Sequence, residues 1–358
     1  QPCMALELGL GTFGDVTVGE DGSLLPHHQV LRNVIEEAKL ADRLGIDFFG
    51  VGEHHREDFA VTAPEVILGA IAAETRNISI GSAVTVLSSD DPVRVYQRFA
   101  TLDAVSKGRV EVILGRGSFT ESFPLFGYNL HDYNRLFEEK VSLFTKLREE
   151  TAVTWKGTTR APLTNQNVYP PTERGSIKTW IGVGGSPDSV IRAAKNRAGL
   201  MLAIIGGEPA RFAPLVKLYL DSLEQLELPA LPIGVHSPGH IAETDEQARE
   251  EVWPHHRDLF GKIGKERGWP PMTRAQFEHG VSPEGSLYVG SPETVAEKII
   301  KNAKILRLSR FDMKYSNGSL PHERLMNSIG LYATKVAPIV RRAMQDISVG
   351  GGEIIAQK

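Results

Sequence analysis

The chain has 358 residues, of which 41% are hydrophobic and 23% are charged, enough to bury the core of two ordinary domains or of one large α/β barrel. A formal net charge of −4 argues against a nucleic-acid partner, and no apolar run approaches the roughly 20 residues that span a bilayer, which argues against a membrane partner. The single cysteine, Cys3, allows no intramolecular disulfide, and the first residues lack the pattern of a signal peptide, so we expect a cytoplasmic protein.

Short β-rich runs alternate with longer helical patterns along the chain. Several of the β-rich runs are continuously apolar, as expected for parallel strands that are covered on both faces. The predicted strands are 5–10, 48–53, 78–86, 109–115, 179–184, 199–205, 232–237 and 310–316. Eight strands, each followed by a helix, favour an α/β fold of the (β/α)8 TIM-barrel type over a six-stranded open sheet.

Two longer stretches are predicted to be insertions into a single barrel domain that spans 1–358. Residues 150–178 are rich in Thr and Pro and show no helical period, and residues 266–289 are rich in Gly and Pro and precede the last βα unit. Irregular segments of this length in a compact domain are usually functional loops or disordered. We expect 266–289 to act as a lid.

The first strand carries Gly9, Gly11 and Gly14 in the order G-x-G-x-x-G, which is the fingerprint of dinucleotide-binding proteins. That fingerprint requires a helix directly after the glycines, so that the helix N-terminus meets the pyrophosphate. Here a loop of about 15 residues intervenes, and the apolar helical period starts only at Val30. We therefore interpret the match as coincidental.

The end of strand 179–184 is a better phosphate site. Gly184 and Gly185 precede a helix that opens at Ser186, with Ser189 in its first turn. Glycines let the backbone approach a ligand closely, while the helix N-terminus offers free N–H groups and a positive dipole. The alternative is an ordinary helix start capped by the Ser186 side chain.

Arg116 stands between two glycines at the end of strand 109–115. The carboxyl ends of barrel strands form the face where barrel enzymes bind their substrates, and a guanidinium there can bind phosphate in bidentate fashion. The alternative is an ion pair with a neighbouring loop. Taken together, the two strand ends predict one phosphate that is bound by Arg116 and by the helix after Gly185.

Glu53, His54 and His55 follow one another at the end of the second strand. Adjacent strand residues point to opposite faces, so the two histidines are poorly placed to bind one ion, and we expect no metal. A single histidine at the barrel mouth, oriented by Glu53, suits proton transfer or a hydrogen bond to a ligand. The alternative is a structural histidine bonded to loop backbone.

Three long segments resemble the bacterial luciferase-like, flavin-dependent monooxygenases. They are residues 40–55, 78–118 and 180–207, and they occur in order and in the expected strands. The middle segment, with its helix, the motif L-D-x-x-S-x-G-R and the strand that follows, is the most specific of the three. The resemblance extends over nearly the whole chain.

This resemblance implies FMN at the carboxyl ends of the barrel strands. Reduced FMN and O2 would form a C4a-(hydro)peroxyflavin that oxygenates a small organic substrate, with His54 as the active-site histidine and Arg116 as the phosphate-binding arginine. Ala83 and Val84 correspond to a non-proline cis peptide against the flavin ring. The other cofactor-binding residues that the resemblance implies are Ser118, Gly184, Gly185, Ser186 and Ser189.

Gly185 stands where luciferase-like proteins often carry an acidic residue, and some relatives use a deazaflavin in place of FMN. Two other functions therefore stay open: a deazaflavin- or NAD(P)H-linked oxidoreductase on the same barrel, and a non-catalytic flavin-binding protein. The family resemblance also implies a homodimer, for which the helix at 91–108 is a candidate surface. We expect the reduced flavin to come from a separate flavin reductase.

Overall fold

A closed barrel of eight parallel strands forms the centre of the computed structural model, which describes residues 5–345. The strands are β1 (Glu7–Thr12), β2 (Phe48–Val51), β3 (Ser79–Val86), β4 (Val110–Gly115), β5 (Val153–Trp155), β6 (Leu163–Gln166), β7 (Lys178–Val183), β8 (Gly199–Ala203), β9 (Ile233–Ile241), β10 (Tyr288–Gly290) and β11 (Arg310–Lys314). The ring runs β1-β2-β3-β4-β7-β8-β9-β11 and closes through the pairing of β11 with β1. The predicted (β/α)8 barrel is confirmed, and each of its eight strands was predicted from the sequence.

Helices cover the outside of the barrel. They are α1 (His27–Arg43), α2 (Pro64–Glu74), α3 (Pro92–Val105), α4 (Ser122–Phe126), α5 (Tyr133–Glu149), α6 (Pro187–Lys195), α7 (Ala213–Gln225), α8 (Asp245–Arg267), α9 (Arg274–Val281), α10 (Pro292–Leu306), α11 (His322–Leu331) and α12 (Ala337–Met344). Proline starts α2, α3, α6 and α10, where its missing N–H costs no helical hydrogen bond. Within residues 5–345, no helix combines the length and the apolar character that a membrane span requires.

The two long connecting stretches contain regular structure. Residues 150–178 include the antiparallel hairpin of β5 and β6. Residues 266–289 include α9, so the expectation of an irregular segment is wrong for 274–281. Thr273 and Gln276 form a capping box there, which offsets the glycine and proline content around the helix.

The barrel interior is filled with side chains. Phe48, Ala83, Ile113, Trp180 and Met201 form a buried cluster inside the ring. The fully buried guanidinium of Arg310 lies between the rings of Phe48 and Trp180, at 3.9 and 4.4 Å from their centroids. It pairs with Glu111 at 2.7 Å and with Asp312 at 3.1 Å, which supplies the opposite charge that a buried cation requires. Because side chains fill the interior, a ligand has no room inside the ring.

Candidate active site

His54 lies directly after β2 at the carboxyl-terminal mouth of the barrel, and its side chain is buried. Three aromatic rings surround the imidazole, with centroids at 4.3 Å for Phe13, 4.9 Å for Phe59 and 5.1 Å for Phe119. These rings come from the loops after β1, β2 and β4. The strand order thus brings together an aromatic pocket from segments more than 100 residues apart.

The imidazole of His54 is neutral at physiological pH. Burial lowers its pKa to about 3, and the charges of Lys314, His55 and Arg56 act in the same direction. No group among residues 5–345 forms a hydrogen bond with its side chain, so both ring nitrogens stay available to a ligand. A neutral imidazole without a partner can donate a hydrogen bond from one ring nitrogen and accept one at the other.

Glu53 orients His55 and not His54, so the sequence interpretation of this pair is wrong. One carboxylate oxygen of Glu53 contacts Nε2 of His55 at 2.6 Å, and the other accepts a hydrogen bond from the backbone N–H of Val86. The two histidine side chains contact different groups, because His54 lies among Phe13, Phe59 and Phe119 whereas His55 lies against Glu53 and Phe126. His54 is held instead by packing and by its backbone N–H, which donates to the carbonyl of Val61 at 3.0 Å.

Sequence analysis missed a buried ion pair behind this aromatic pocket. Nζ of Lys314 donates to Asp15 at 2.8 Å and lies 4.6 Å from the centroid of the Phe13 ring. Asp15 also accepts hydrogen bonds from the hydroxyl of Ser316 and from the backbone N–H of Gly318. The signal was present in β11, where charged residues alternate with apolar ones at 310, 312 and 314, a period that puts all three inside the barrel.

The glycines of the opening motif provide space for neighbouring side chains. A Cβ on Gly9 would collide with the carboxylate of Asp312, and a Cβ on Gly11 would lie 2.8 Å from Nε2 of His236. Sequence analysis also did not identify His236. Its ring packs edge-on against Phe13, burial lowers its pKa to about 4, and its Nε2 has no hydrogen-bond partner among residues 5–345. The G-x-G pattern therefore has a steric cause, because a side chain at position 9 or 11 would collide with Asp312 or His236.

Arg116 and Ser189 meet on the other side of the mouth. Nη2 of Arg116 lies 3.3 Å from Oγ of Ser189, although 73 residues separate them, and Nη1 donates to the side chain of Asn134 at 2.9 Å. The Arg116 side chain also lies over the Tyr133 ring. No carboxylate among residues 5–345 is within 4.0 Å of this guanidinium, so the alternative of an ion pair with a neighbouring loop is wrong.

The loop before α6 leaves the helix N-terminus open. Gly185 has a φ of +136°, which side chains rarely tolerate, and a Cβ on Gly184 would meet no atom within 4 Å. Ser186 occupies the N-cap position but its side chain forms no capping hydrogen bond, so the alternative of a helix capped by its hydroxyl is wrong. The start of α6 therefore has no side-chain cap, and the exposed Gly184 and Gly185 precede it, which leaves this end of the helix accessible to an anion.

The peptide bond between Ala83 and Val84 is cis, as the resemblance implies. Three glycines surround it: a Cβ on Gly52 would collide with the carbonyl of Ala83, and Cβ atoms on Gly115 and Gly182 would lie 2.7 and 3.2 Å from the Val84 side chain. The cis peptide thus lies at the mouth between the His54 pocket and the strand that leads to Arg116.

Ser118 lies on an exposed loop at the rim. Its carbonyl accepts a hydrogen bond from Arg267, at the end of α8, at 3.2 Å. The guanidinium groups of Arg267 and Arg56 flank the Phe119 ring, each 4.8 Å from its centroid. The first residues of the 266–289 segment therefore reach the mouth next to the loop that carries Ser118.

Comparison with known proteins was made on the sequence and on the fold. The sequence profile of the luciferase-like monooxygenase family matches residues 12–307. N-acetyl-S-alkylcysteine monooxygenase of Bacillus subtilis is 30% identical over 304 residues, which cover 78% of this chain and 85% of that protein. F420-dependent glucose-6-phosphate dehydrogenase of Amycolatopsis mediterranei is 25% identical over 280 residues, or 75% of this chain and 79% of that protein.

Two solved structures share the fold. The monooxygenase RslO1 of Streptomyces bottropensis has a TM-score of 0.82 with 21% identity over 93% of this chain and 99% of its own. The oxygenating constituent of 3,6-diketocamphane monooxygenase of Pseudomonas putida, in complex with FMN, has a TM-score of 0.72 with 19% identity over 94% and 99%. Together with the match over residues 12–307, these findings establish that the chain is an enzyme that belongs to the luciferase-like monooxygenase family.

Proposed function

We propose that this enzyme uses reduced FMN and O2 to insert one oxygen atom into a small organic substrate. The observation that carries the proposal is the meeting of Arg116 with Ser189 at the open N-terminus of α6, across the mouth from the neutral imidazole of His54. One region offers the donors that a phosphate requires, and the other offers a buried aromatic space of the kind a flavin ring and an organic substrate require.

The residues present fit FMN. A guanidinium, the hydroxyls of Ser186 and Ser189 and the uncapped start of α6 match a phosphate monoester, and the positive φ of Gly185 lets the backbone approach it closely. In this assignment the ring system lies against Ala83 and Val84 at the mouth, where Gly52, Gly115 and Gly182 pack closely around the same two residues. In this assignment Ser118, Gly184, Ser186 and Ser189 lie beside the phosphate and its chain.

The chemistry divides between cofactor and protein. Bound reduced flavin supplies the two electrons that activate O2. His54 holds a proton on one ring nitrogen and can accept a hydrogen bond at the other, because its low pKa keeps the imidazole neutral. Phe13, Phe59 and Phe119 exclude water from the neighbourhood of that nitrogen, and the segment around Arg267 covers the rim.

Anaerobic titration with reduced FMN, followed by admission of O2, tests the proposal. We expect saturable binding at micromolar concentration and O2 consumption that organic substrates such as terpenes, alkanals or thioethers stimulate, with one oxygen atom in the product. Binding of reduced FMN without stimulated O2 consumption by any of these substrates would count against oxygenation. If neither FMN nor a deazaflavin binds at millimolar concentration, the proposal is wrong.

A deazaflavin-linked oxidoreductase is the second candidate function. The similarity to a deazaflavin-dependent dehydrogenase favours it, as does Gly185 with its open space in the phosphate loop. Such an enzyme transfers hydride without O2. Product formation in an anaerobic assay with the deazaflavin, and its absence with FMN, would select this function over oxygenation.

We further propose that the reduced flavin is delivered by a separate flavin reductase. Support comes from the camphane enzyme, whose structure is described as the oxygenating constituent of a monooxygenase. We expect product formation with NADH only when a flavin reductase is added. NADH oxidation by this chain alone, at the rate of oxygenation, would contradict the proposal.

We also propose that the enzyme is a homodimer that uses the outer face of α2 and α3. Val66, Val105 and Phe126 are 76%, 50% and 49% exposed and line one groove on this face. Exposed apolar patches commonly mark protein interfaces. Light scattering should give twice the chain mass for the wild type and for Leu24→Glu on a distant loop, but the single mass for Val66→Glu. A monomeric wild type would refute the proposal.

A further inference from the structure

A second arginine converges on the Ser189 hydroxyl. Arg192 follows Ser189 by three residues on α6, and its Nη1 lies 3.4 Å from Oγ of Ser189, whereas Nη2 of Arg116 lies 3.3 Å from the same oxygen. Two guanidinium groups thus lie within hydrogen-bond distance of one hydroxyl oxygen, one from the loop after β4 and the other from within α6.

Helix α5 fixes the positions of both guanidinium groups. Tyr133 and Phe137 stand one turn apart on the same face of α5. Arg116 lies over the Tyr133 ring at 5.1 Å and Arg192 over the Phe137 ring at 5.5 Å. Asn134, between the two rings in sequence, accepts a hydrogen bond from Arg116. The two cations are therefore held side by side before any ligand binds.

The charge of this pair is not balanced by a contact with an acid. Among residues 5–345, neither Arg116 nor Arg192 has a carboxylate within 4.0 Å, although Glu138 and Asp188 are close enough to raise the pKa of Arg192. Burial and the neighbouring charge of Arg116 outweigh them and lower that pKa. Nε of Arg192 is buried without a hydrogen-bond partner in the described part of the chain. Two cations without carboxylate contacts make the site complementary to a doubly charged anion.

We propose that Arg192 is a second phosphate-binding residue, and that Arg116 and Arg192 together select a dianionic phosphate monoester over ligands with one negative charge or none. The inference rests on the proposed function, because it takes the flavin phosphate as the anion. According to this proposal, the two arginines make the enzyme bind FMN more tightly than unphosphorylated riboflavin. They also favour a phosphate monoester over the singly charged phosphodiester of a deazaflavin side chain.

Flavin affinity measured by fluorescence quenching, with FMN and with riboflavin, tests this role without any turnover. We expect the wild type to bind FMN at least a hundredfold more tightly than riboflavin. Arg192→Met should weaken FMN binding at least tenfold and leave riboflavin binding unchanged, and Arg192→Lys should give an intermediate value. The matched control is Arg32→Met, on the exposed face of α1, which should leave both affinities unchanged.

Salt dependence supplies a second measurement if Arg192→Met fails to fold. The logarithm of FMN affinity should fall less steeply with the logarithm of salt concentration in Arg192→Gln than in the wild type, because one fewer cation meets the phosphate. An unchanged ratio of FMN to riboflavin affinity in both variants would overturn the role of Arg192 and leave the proposed function standing. A wild type that binds neither flavin would instead refute the proposed function.

Discussion

The cations on the two sides of the barrel mouth differ in whether a carboxylate contacts them. We call the region around His54 the histidine side and the region around Arg116 and Arg192 the arginine side. On the histidine side, Arg56 and Lys314 each have a carboxylate within 3.0 Å: Asp58 and two others for Arg56, and Asp15 for Lys314. On the arginine side, Arg116 and Arg192 face a hydroxyl, an amide and two aromatic rings, with no carboxylate within 4.0 Å among residues 5–345.

This difference indicates that the two sides of the mouth have different functions. On the histidine side the cations are paired with carboxylates, and burial among aromatic rings together with these nearby cations keeps the imidazole of His54 uncharged. On the arginine side, the positive charges of Arg116 and Arg192 have no carboxylate contact among residues 5–345, so this side is suited to bind an anion. A ligand with an apolar ring and an anionic tail is thereby oriented in one direction, and each side can be altered separately.

The largest effect on stability should follow the loss of Lys314. Lys314→Met leaves the carboxylate of Asp15, whose side chain is fully buried, without its cation, and removal of one partner of a buried pair costs about 3 kcal/mol. Urea unfolding measures the loss. The double variant Lys314→Met with Asp15→Asn should recover more than half of it, whereas a double variant as unstable as the single one would show that the pair is not electrostatically coupled.

The largest effect on chemistry should follow the loss of His54. His54→Ala removes the proton-holding group, and general acid–base contributions suggest a loss of about a hundredfold or more in substrate oxygenation. FMN affinity should stay within about tenfold, because the phosphate donors lie on the arginine side. His55→Ala is the matched control and should retain turnover. Loss of FMN binding in His54→Ala would make the histidine a structural residue.

A smaller effect should distinguish the two kinds of arginine by stability alone. Arg56→Met leaves Asp58, which is only 12% exposed, without its nearest guanidinium, and we expect a cost of about 1–2 kcal/mol. Arg116→Met leaves no acid behind and should cost less than about 0.5 kcal/mol in the absence of ligand. Equal losses in urea unfolding would contradict the division between balanced and unbalanced cations.

The same division explains what the sequence could and could not predict. Arg116 could be found because it stands between two glycines after a strand, and Ser189 because it lies in the first turn of a helix that follows a glycine-rich strand end; the barrel order then places these segments together. Arg192 could not be found, because it lies inside a helical pattern and only the position of α5 turns it toward Ser189. The barrel strands were predictable from their apolar runs, which depend on local sequence alone.

The histidine side was harder to predict for a related reason. Asp15 and Lys314 are 299 residues apart, and nothing local in the sequence pairs them. Glu53 is adjacent to His54 in sequence, yet in the loop after β2 its carboxylate contacts His55, two residues further along. Proximity in sequence was therefore misleading here, and the period-two charges of β11 were the more informative pattern.

The smallest effect is a pH dependence that only the arginine side should produce. A phosphate monoester has a second pKa near 6, so its dianion fraction falls about fourfold between pH 7.5 and 5.5, and FMN affinity should fall by about that factor while riboflavin affinity stays constant. Burial lowers the pKa of His54 to about 3, so the imidazole stays neutral throughout this range and contributes nothing. His54→Ala should therefore show the same pH profile as the wild type in fluorescence titrations. A flattened pH profile of FMN affinity in that variant would mean that His54 titrates near neutrality, and that its surroundings do not keep the imidazole uncharged.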